Sequence, residues 1–100
     1  MYSSMASDEF YQFYKQGNQQ AILDVRESDE FASGHIPNAQ HLPLSLLMEE
    51  AVELEPTQSY AVICHSGARS ALACQILASQ GYQVINVLGG MSAWKGEITQ

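Results

Sequence analysis

Short apolar runs alternate with amphipathic segments along most of this chain. Four apolar runs bounded by polar residues predict buried strands, at residues 21–25, 39–42, 60–63 and 84–87. Apolar residues at helical spacing predict helices between these strands. Strands that alternate with helices are typical of a parallel sheet with helices on both faces. We therefore expect an α/β fold with a central, mostly parallel sheet of four to five strands flanked by helices.

The predicted helices begin at residues that favour helix ends. Ser7 and Ser28 each precede acidic residues and are placed as N-caps of two helices. A third helical segment covers residues 44–54, and a fourth helix covers residues 68–80. The stripe of the fourth helix that is expected to be buried comprises Leu72, Ala73, Ile76 and Leu77.

Length and charge exclude several classes of protein. One hundred residues suffice for one domain, and we expect residues 1–100 to form it. The formal net charge is −7 and only four residues are basic. Nucleic acids and anionic membranes need clustered lysine and arginine, so neither is expected as a partner. No stretch approaches the roughly 20 apolar residues of a membrane span, and no secretory signal is recognised.

The two cysteines, Cys64 and Cys74, lie ten residues apart. The helix predicted between them separates them by about 9 Å along its axis, which exceeds the roughly 7 Å that a disulfide allows between Cα atoms. Two free thiols without an export signal favour a reducing, cytoplasmic location. Cys74 lies beside the apolar stripe of its helix and is expected to be structural. The spacing of cysteines and histidines does not fit a zinc site.

The most informative segment follows the strand at residues 60–63. Cys64 comes directly after this strand, and a helix begins near Ala68. Free N–H groups of the loop and of the helix start therefore point towards the sulfur, which lowers the pKa of a thiol and favours the nucleophilic thiolate. Gly67 permits the tight turn, and Arg69 brings a positive charge. A buried, purely structural cysteine at the strand end is the alternative.

The sequence predicts the roles of some nearby polar residues and leaves those of others open. Ser70 is placed either to donate to the sulfur or to satisfy the first turn of the helix. His35 lies in a loop and His41 in a strand-like run, and both are expected to be structural. His65 follows Cys64 directly, which leaves open whether its ring lines the site.

Several motifs, in one order and at fixed spacings, resemble the single-domain rhodanese family over residues 21–96. The motifs are Asp24-Val25-Arg26, Glu30-Phe31, Gly34-His35-Ile36-Pro37-Asn38-Ala39, Cys64-His65-Ser66-Gly67-Ala68-Arg69-Ser70, Gly81-Tyr82, Leu88-Gly89-Gly90-Met91 and Trp94. The resemblance implies a three-layer α/β sandwich. It also implies transfer of a sulfane sulfur through a persulfide on Cys64, with no metal or organic cofactor.

The resemblance also implies roles for single residues. Cys64 carries the sulfur, and Arg69 holds an anionic donor. The residues expected to bind the substrate are His65, Ser66, Gly67, Ala68, Arg69 and Ser70. Structural roles are implied for Asp24, Arg26, Glu30 and His35, with Trp94 in the core. Within that group, we expect an ion pair between Arg26 and Glu30.

The donor and the reaction class have alternatives. The expected donor is thiosulfate or a persulfide, including one carried by a protein, and the acceptor is a thiol, sulfite, cyanide or a partner's cysteine. Many thiosulfate-active members of the family carry Arg or Lys after the cysteine, and His65 at that position weakens the case for thiosulfate relative to a persulfide. A partner-binding module without turnover is one alternative function. A cysteine-dependent phosphatase or arsenate reductase is disfavoured, because related phosphatases place five residues between Cys and Arg and this chain places four.

Overall fold

The computed structural model describes residues 2–17 and 20–100. Its sheet has five strands, each parallel to its neighbours, in the spatial order β1-β5-β4-β2-β3. The strands are β1 (Ser3–Ala6), β2 (Ala21–Asp24), β3 (Gln40–His41), β4 (Ser59–Ile63) and β5 (Gln83–Leu88). The helices are α1 (Ser7–Lys15), α2 (Ser28–Ser33), α3 (Leu44–Glu49), α4 (Ala68–Ser79) and a 3-10 helix, Gly90–Ala93. Within the described residues, no helix has the length and apolarity needed to cross a membrane.

The four predicted strands are confirmed as β2 to β5. The apolar pattern gives no sign of β1, because Met5 is the one large apolar residue of this strand and the other three are exposed. β1 lies at the edge of the sheet, where it pairs only with β5. An edge strand buries little side-chain surface, so its position depends on backbone hydrogen bonds that leave no hydrophobic pattern.

The core lies on both faces of the sheet, and β4 shows the division. Its side chains alternate, with Tyr60 and Val62 on one face and Ala61 and Ile63 on the other. The first face packs against α3 and α4, and Cys64 belongs to it. The second face packs against α1. The predicted three-layer α/β arrangement is therefore confirmed.

The starts of α1 and α2 correct the predicted caps. Ser7 and Ser28 are the first residues of their helices instead of N-caps. Glu27 caps α2 and forms a reciprocal capping box with Glu30. The buried Ser7 hydroxyl instead donates to the carbonyl of Gly90, at 3.1 Å. A partner 83 positions away along the chain cannot be read from a local cap pattern.

Two helices differ from their predicted extent or orientation. α3 ends at Glu49, because Glu50 is already extended. α4 turns a different stripe to the core, and Leu72 is 39% exposed. The buried stripe comprises Ser70, Ala73, Cys74 and Leu77. The stripe keeps the i, i+3, i+4, i+7 spacing of a buried helix face but begins at Ser70, because that residue is tied to the loop around Cys64.

Candidate active site

The candidate site lies at the carboxyl edge of the sheet. Asp24 ends β2, Cys64 follows β4, and the turn at Gly89 follows β5. β2 and β5 are the two direct neighbours of β4, so these three strand ends lie side by side. Binding sites of open α/β sheets form at this edge, where the loops leave the strands.

Backbone N–H groups surround the sulfur of Cys64. The Sγ atom accepts hydrogen bonds from the backbone N–H of Gly67 at 3.0 Å and of Ser70 at 3.3 Å. Burial works to raise the pKa of the thiol, but the hydrogen bonds from Ser70, Gly67 and Ser66 outweigh it and hold the pKa below its ordinary value. The loop from Cys64 to α4 therefore has the geometry of an anion-binding loop with a thiol at its centre.

The orientation of this loop depends on the turn after β5. The carbonyl groups of Cys64 and His65 accept hydrogen bonds from the backbone N–H of Met91 and Ser92, both at 2.8 Å. The turn approaches so closely that a Cβ atom on Gly90 would lie 2.3 Å from the Cys64 carbonyl oxygen. With these two carbonyls bound to the 3-10 helix, the following N–H groups remain available for the sulfur.

A second buried side chain connects this loop to the sheet. The Ser70 hydroxyl lies 3.3 Å from the Cys64 sulfur and donates to Oδ1 of Asn86, at 2.5 Å. Asn86 belongs to β5, and its Nδ2 lies 3.4 Å from the carbonyl oxygen of Gly67. The first turn of α4 and the glycine of the loop are therefore tied to the same strand residue.

Arg69 is paired differently from what the sequence predicts. Its guanidinium binds Glu30 through two hydrogen bonds, of 2.5 and 2.8 Å. The predicted Arg26–Glu30 pair is therefore wrong. Arg26 is buried and binds Asp24 at 2.8 Å and the carbonyl of Gly34 at 2.7 Å. Since α2 brings Glu30 to the start of α4, the correct pair could be found only from the packing of these two helices.

The Arg69–Glu30 pair determines the charge beside the loop. The hydrogen bond from Arg69 lowers the pKa of Glu30 to about 2, so the carboxyl is ionised near neutral pH. The bond to Glu30 also raises the pKa of Arg69. About a third of each side chain is exposed. The positive charge of Arg69 is therefore largely neutralised at rest, although its guanidinium can be reached from solvent.

The structure gives His35 and His41 the structural roles that the sequence predicts. Nδ1 of His35 lies 2.8 Å from the carbonyl oxygen of Phe31, and Nε2 of His41 lies 2.8 Å from that of Arg26. Both rings also stack on Phe31, with centroid distances of 3.7 and 4.3 Å. These contacts tie both histidines to α2, the helix that carries Phe31 and Glu30. His65 is exposed, and its role in the site stays a prediction.

Cys74 and Trp94 lie in the packed interior or at its margin. Cys74 is a free, fully buried thiol, and burial raises its pKa to about 12. Trp94 is partly buried and contacts the rings of Phe10 and Tyr14. In residues 2–17 and 20–100, no group of three or more His, Cys, Asp or Glu side chains is arranged to hold a metal ion.

Access to the sulfur is narrow in this structure. Cys64 is only 1% exposed, and the neighbouring residues His65, Ser66 and Ala68 are exposed around it. A donor must reach a nucleophilic sulfur, whereas the folded protein covers it. Exposure of the thiol therefore requires a local movement of the residues around it.

This constellation of a cysteine loop at a parallel sheet edge belongs to a known family. The chain matches the rhodanese-like domain family over residues 6–97, and it is a member of that family. It is 43% identical over 76 residues to a putative sulfurtransferase, YtwF, of Bacillus subtilis, which covers 76% of this chain and 74% of the relative. It is 35% identical over 75 residues to the thiosulfate sulfurtransferase GlpE of Coxiella burnetii, covering 74% and 70% respectively.

A solved structure gives the same assignment. The rhodanese-related protein of Thermoplasma volcanium has 36% sequence identity to this chain and superposes with a TM-score of 0.85. The superposition covers 98% of each chain. The fold is therefore rhodanese-like, and the two relatives described above carry sulfurtransferase names.

Two parts of the site were outside the reach of sequence reasoning. Asn86 is one, although a polar residue inside the apolar run of β5 is a signal that a buried polar contact exists. The other is the partner of Arg69, because Glu30 lies 39 positions away and no spacing rule connects the two.

Proposed function

We propose that this protein is a sulfurtransferase that carries a sulfane sulfur as a persulfide on Cys64. The observation that supports it most directly is the sulfur at the end of β4, which receives N–H groups from Gly67 and Ser70. These donors stabilise a thiolate before the reaction and a negatively charged persulfide after it. Sulfurtransferase names among the relatives support the same reaction class.

In the first half of the reaction, the Cys64 thiolate attacks the outer sulfur of the donor. With thiosulfate, a new S–S bond forms to Cys64 as the S–S bond of the donor breaks, and sulfite leaves with the electron pair. The product is a cysteine persulfide whose outer sulfur carries the negative charge. The loop amides hydrogen-bond to this charge in place of the original thiolate.

In the second half, a thiophilic acceptor removes the outer sulfur. An acceptor thiolate, either small or on a partner protein, attacks that sulfur, and the Cys64 thiolate leaves with the electron pair of the broken bond. The leaving thiolate returns to the same amide donors, which lowers the barrier to its departure. Both half-reactions use one group alternately, so ping-pong kinetics are expected. No metal or organic cofactor takes part, and the free cysteines fit a reducing, cytoplasmic location.

The charges around the loop favour a donor that carries little negative charge. The Arg69 guanidinium is already bound to Glu30, and a histidine stands directly after Cys64. Thiosulfate is a dianion, so it must compete with the Glu30 carboxylate for Arg69. The persulfide group itself carries one negative charge at most, and we propose a persulfide as the preferred donor, with thiosulfate as a weaker one. Turnover without a local opening of the loop is not expected, because Cys64 is 1% exposed.

Intact-protein mass spectrometry tests this function. After incubation with a low-molecular-weight persulfide, the protein is expected to gain the mass of one sulfur atom and to lose it when a thiol acceptor is added. The Cys64→Ser variant is the control and is expected to gain nothing. If neither a persulfide nor thiosulfate produces the adduct, the proposal is refuted. A partner-binding module without turnover would then be favoured.

A further inference from the structure

Asn86 and Ser70 form a buried polar pair next to the reacting sulfur. Ser70 is fully buried and Asn86 is 2% exposed, although the rest of β5 is largely apolar. The Ser70 hydroxyl donates to Oδ1 of Asn86 at 2.5 Å, and its oxygen lies 3.3 Å from the Cys64 sulfur. A buried amide within a core strand is costly unless it is hydrogen-bonded, so the pair is held in place by its own contacts.

The Ser70 hydroxyl has a single proton, and two groups can receive it. While that proton lies on the bond to Asn86, the Ser70 oxygen can only accept, and it accepts the S–H proton of the Cys64 thiol. A thiolate has no proton to give. To stabilise the thiolate, the hydroxyl must turn its proton from Asn86 to the sulfur.

Asn86 cannot readily adapt to that change. Its Nδ2 group points to the carbonyl oxygen of Gly67, at 3.4 Å. If the amide flipped, Nδ2 could donate to Ser70, but Oδ1 would then face the Gly67 carbonyl, and two acceptors would oppose each other. The contact with Gly67 therefore keeps the acceptor atom of Asn86 directed at Ser70.

From this geometry we infer that Asn86 is a positioning residue that competes with the Cys64 thiolate for the Ser70 proton. The competition restrains ionisation of the thiol, and the proton released on ionisation passes to solvent. The backbone N–H groups of Gly67 and Ser70 act in the opposite direction and favour the thiolate. The inference rests on the proposed function only in taking Cys64 as the reacting group.

Other ionisable groups near the sulfur are few. α4 contributes Arg69, which is paired with Glu30, and Cys74, which remains a thiol. The end of β2 contributes Asp24, which is paired with Arg26, and the loop contributes His65. β5 and the 3-10 helix after it contain no ionisable side chain. None of these groups contacts the amide of Asn86, so substitution of Asn86 tests the competition directly.

The Asn86→Leu variant removes the competing acceptor and keeps a branched side chain with the same number of heavy atoms. The rate of iodoacetamide addition to Cys64, followed by mass spectrometry against pH, reports the thiolate fraction. At about pH 6, we expect this variant to react roughly three- to tenfold faster than the unchanged protein, because the Ser70 proton becomes available to the sulfur. Val84→Ala is the matched control, since it loosens the same face of β5 without a contact to the hydroxyl.

A second background separates competition from a general loosening of the loop. In a Ser70→Ala protein there is no proton to compete for, so Asn86→Leu is expected to leave the alkylation rate unchanged. Equal acceleration in both backgrounds, or no acceleration in the unchanged background, would overturn the inference. If the leucine variant does not fold, the Asn86→Asp variant tests the inference instead. Its carboxylate accepts the Ser70 proton more strongly than the amide does, so alkylation of Cys64 is expected to slow. Faster alkylation would contradict the inference.

Alkylation needs no sulfur donor, so this experiment is independent of sulfur transfer. Absence of a persulfide together with the expected alkylation pattern would reject the proposed function and retain the role of Asn86. If a persulfide forms but the Asn86→Leu variant is alkylated at an unchanged rate, the proposed function is retained and the role of Asn86 is rejected.

Discussion

At the scale of single residues, the chemistry of this protein depends on the balance around one sulfur atom. Burial of Cys64 disfavours its ionisation, whereas hydrogen bonds from the Ser70 hydroxyl and from the N–H groups of Ser70 and Gly67 favour it, and together they hold the pKa of the thiol below its ordinary value. The second decisive contact is the pair of Arg69 with Glu30, which neutralises the positive charge nearest to the loop. Under the proposed function, the choice of donor therefore depends on a carboxylate that forms no hydrogen bond with the sulfur.

Replacing Glu30 by glutamine is expected to improve the use of thiosulfate. Glutamine can still accept one hydrogen bond from Arg69, so the guanidinium stays in place, but its charge is no longer neutralised. We expect KM for thiosulfate to fall by about two- to fivefold, a modest change because the pair is one-third exposed and screened by water. Steady-state kinetics with thiosulfate measure the effect.

The matched control is Asp29→Asn, which removes one negative charge from the same helix at an exposed position outside the ion pair of Arg69 with Glu30. An equal fall in KM for both variants would mean that overall charge, and not the release of Arg69, is responsible. A rise in KM for Glu30→Gln would show instead that Glu30 mainly holds Arg69 in its working position.

At the scale of elements, the cysteine loop is held from two sides. The start of α4 supplies N–H groups to the sulfur, and the 3-10 helix after β5 binds the carbonyls of Cys64 and His65. Gly90 makes this second contact possible, since its φ is +52° and its α-carbon lies against the loop backbone. The start of α4 and the 3-10 helix keep their relative positions because α4 packs against β5. The geometry of the loop therefore depends on that packing.

Gly90→Ala is expected to destabilise the protein strongly. A Cβ atom there would lie 2.3 Å from the Cys64 carbonyl oxygen, so the loop or the turn must move. We expect a loss of about 2–4 kcal/mol in the free energy of unfolding, from this clash and the left-handed backbone together. Urea denaturation measures the loss.

Gly81→Ala is a control for the backbone alone, because Gly81 also has a positive φ, of +94°, and no atom lies within 4 Å of a Cβ built there. Its loss is expected to be about 1–2 kcal/mol. If the two alanine variants were equally stable, the close approach of Gly90 to the loop would have no energetic consequence.

At the scale of the whole molecule, residues far apart in the chain close the structure around the site. β1 pairs with β5, and the Ser7 hydroxyl binds the carbonyl of Gly90. The two thiols report different parts of this structure. Cys64 lies at the start of the loop whose N–H groups bind its sulfur, whereas Cys74 lies within α4, and both belong to the core on one face of the sheet.

The two thiols are therefore expected to react by different routes. In native buffer, iodoacetamide should add one label, at Cys64, through local opening of the loop. Cys74 has a pKa of about 12, so only about one molecule in ten thousand carries its thiolate at pH 8, and it is fully buried. Its label should appear only across the urea transition seen by circular dichroism.

Peptide mapping by mass spectrometry distinguishes the two positions, and the Cys64→Ser variant is expected to take up no label in native buffer. Native labelling of Cys74 at a rate near that of Cys64 would contradict this picture. It would mean that α4 opens from the sheet without global unfolding.

The sequence alone determined the layers of the fold and the centre of the site. Buried strands such as β4 are encoded as continuous apolar runs, and a cysteine between such a run and a helix start defines an anion-binding loop through local backbone geometry. Short-range rules suffice for these features because the contacts that create them lie within a few residues along the chain.

The tertiary structure alone decided what surrounds that centre. The partner of Arg69, the contact of Ser7 with Gly90, and the bond between Ser70 and Asn86 join residues 16 to 83 positions apart. The edge strand β1 and the rotation of α4 belong to the same group. Such contacts depend on which elements lie side by side in the sheet, and a hydrophobic pattern records that a residue is buried without recording what it is buried against.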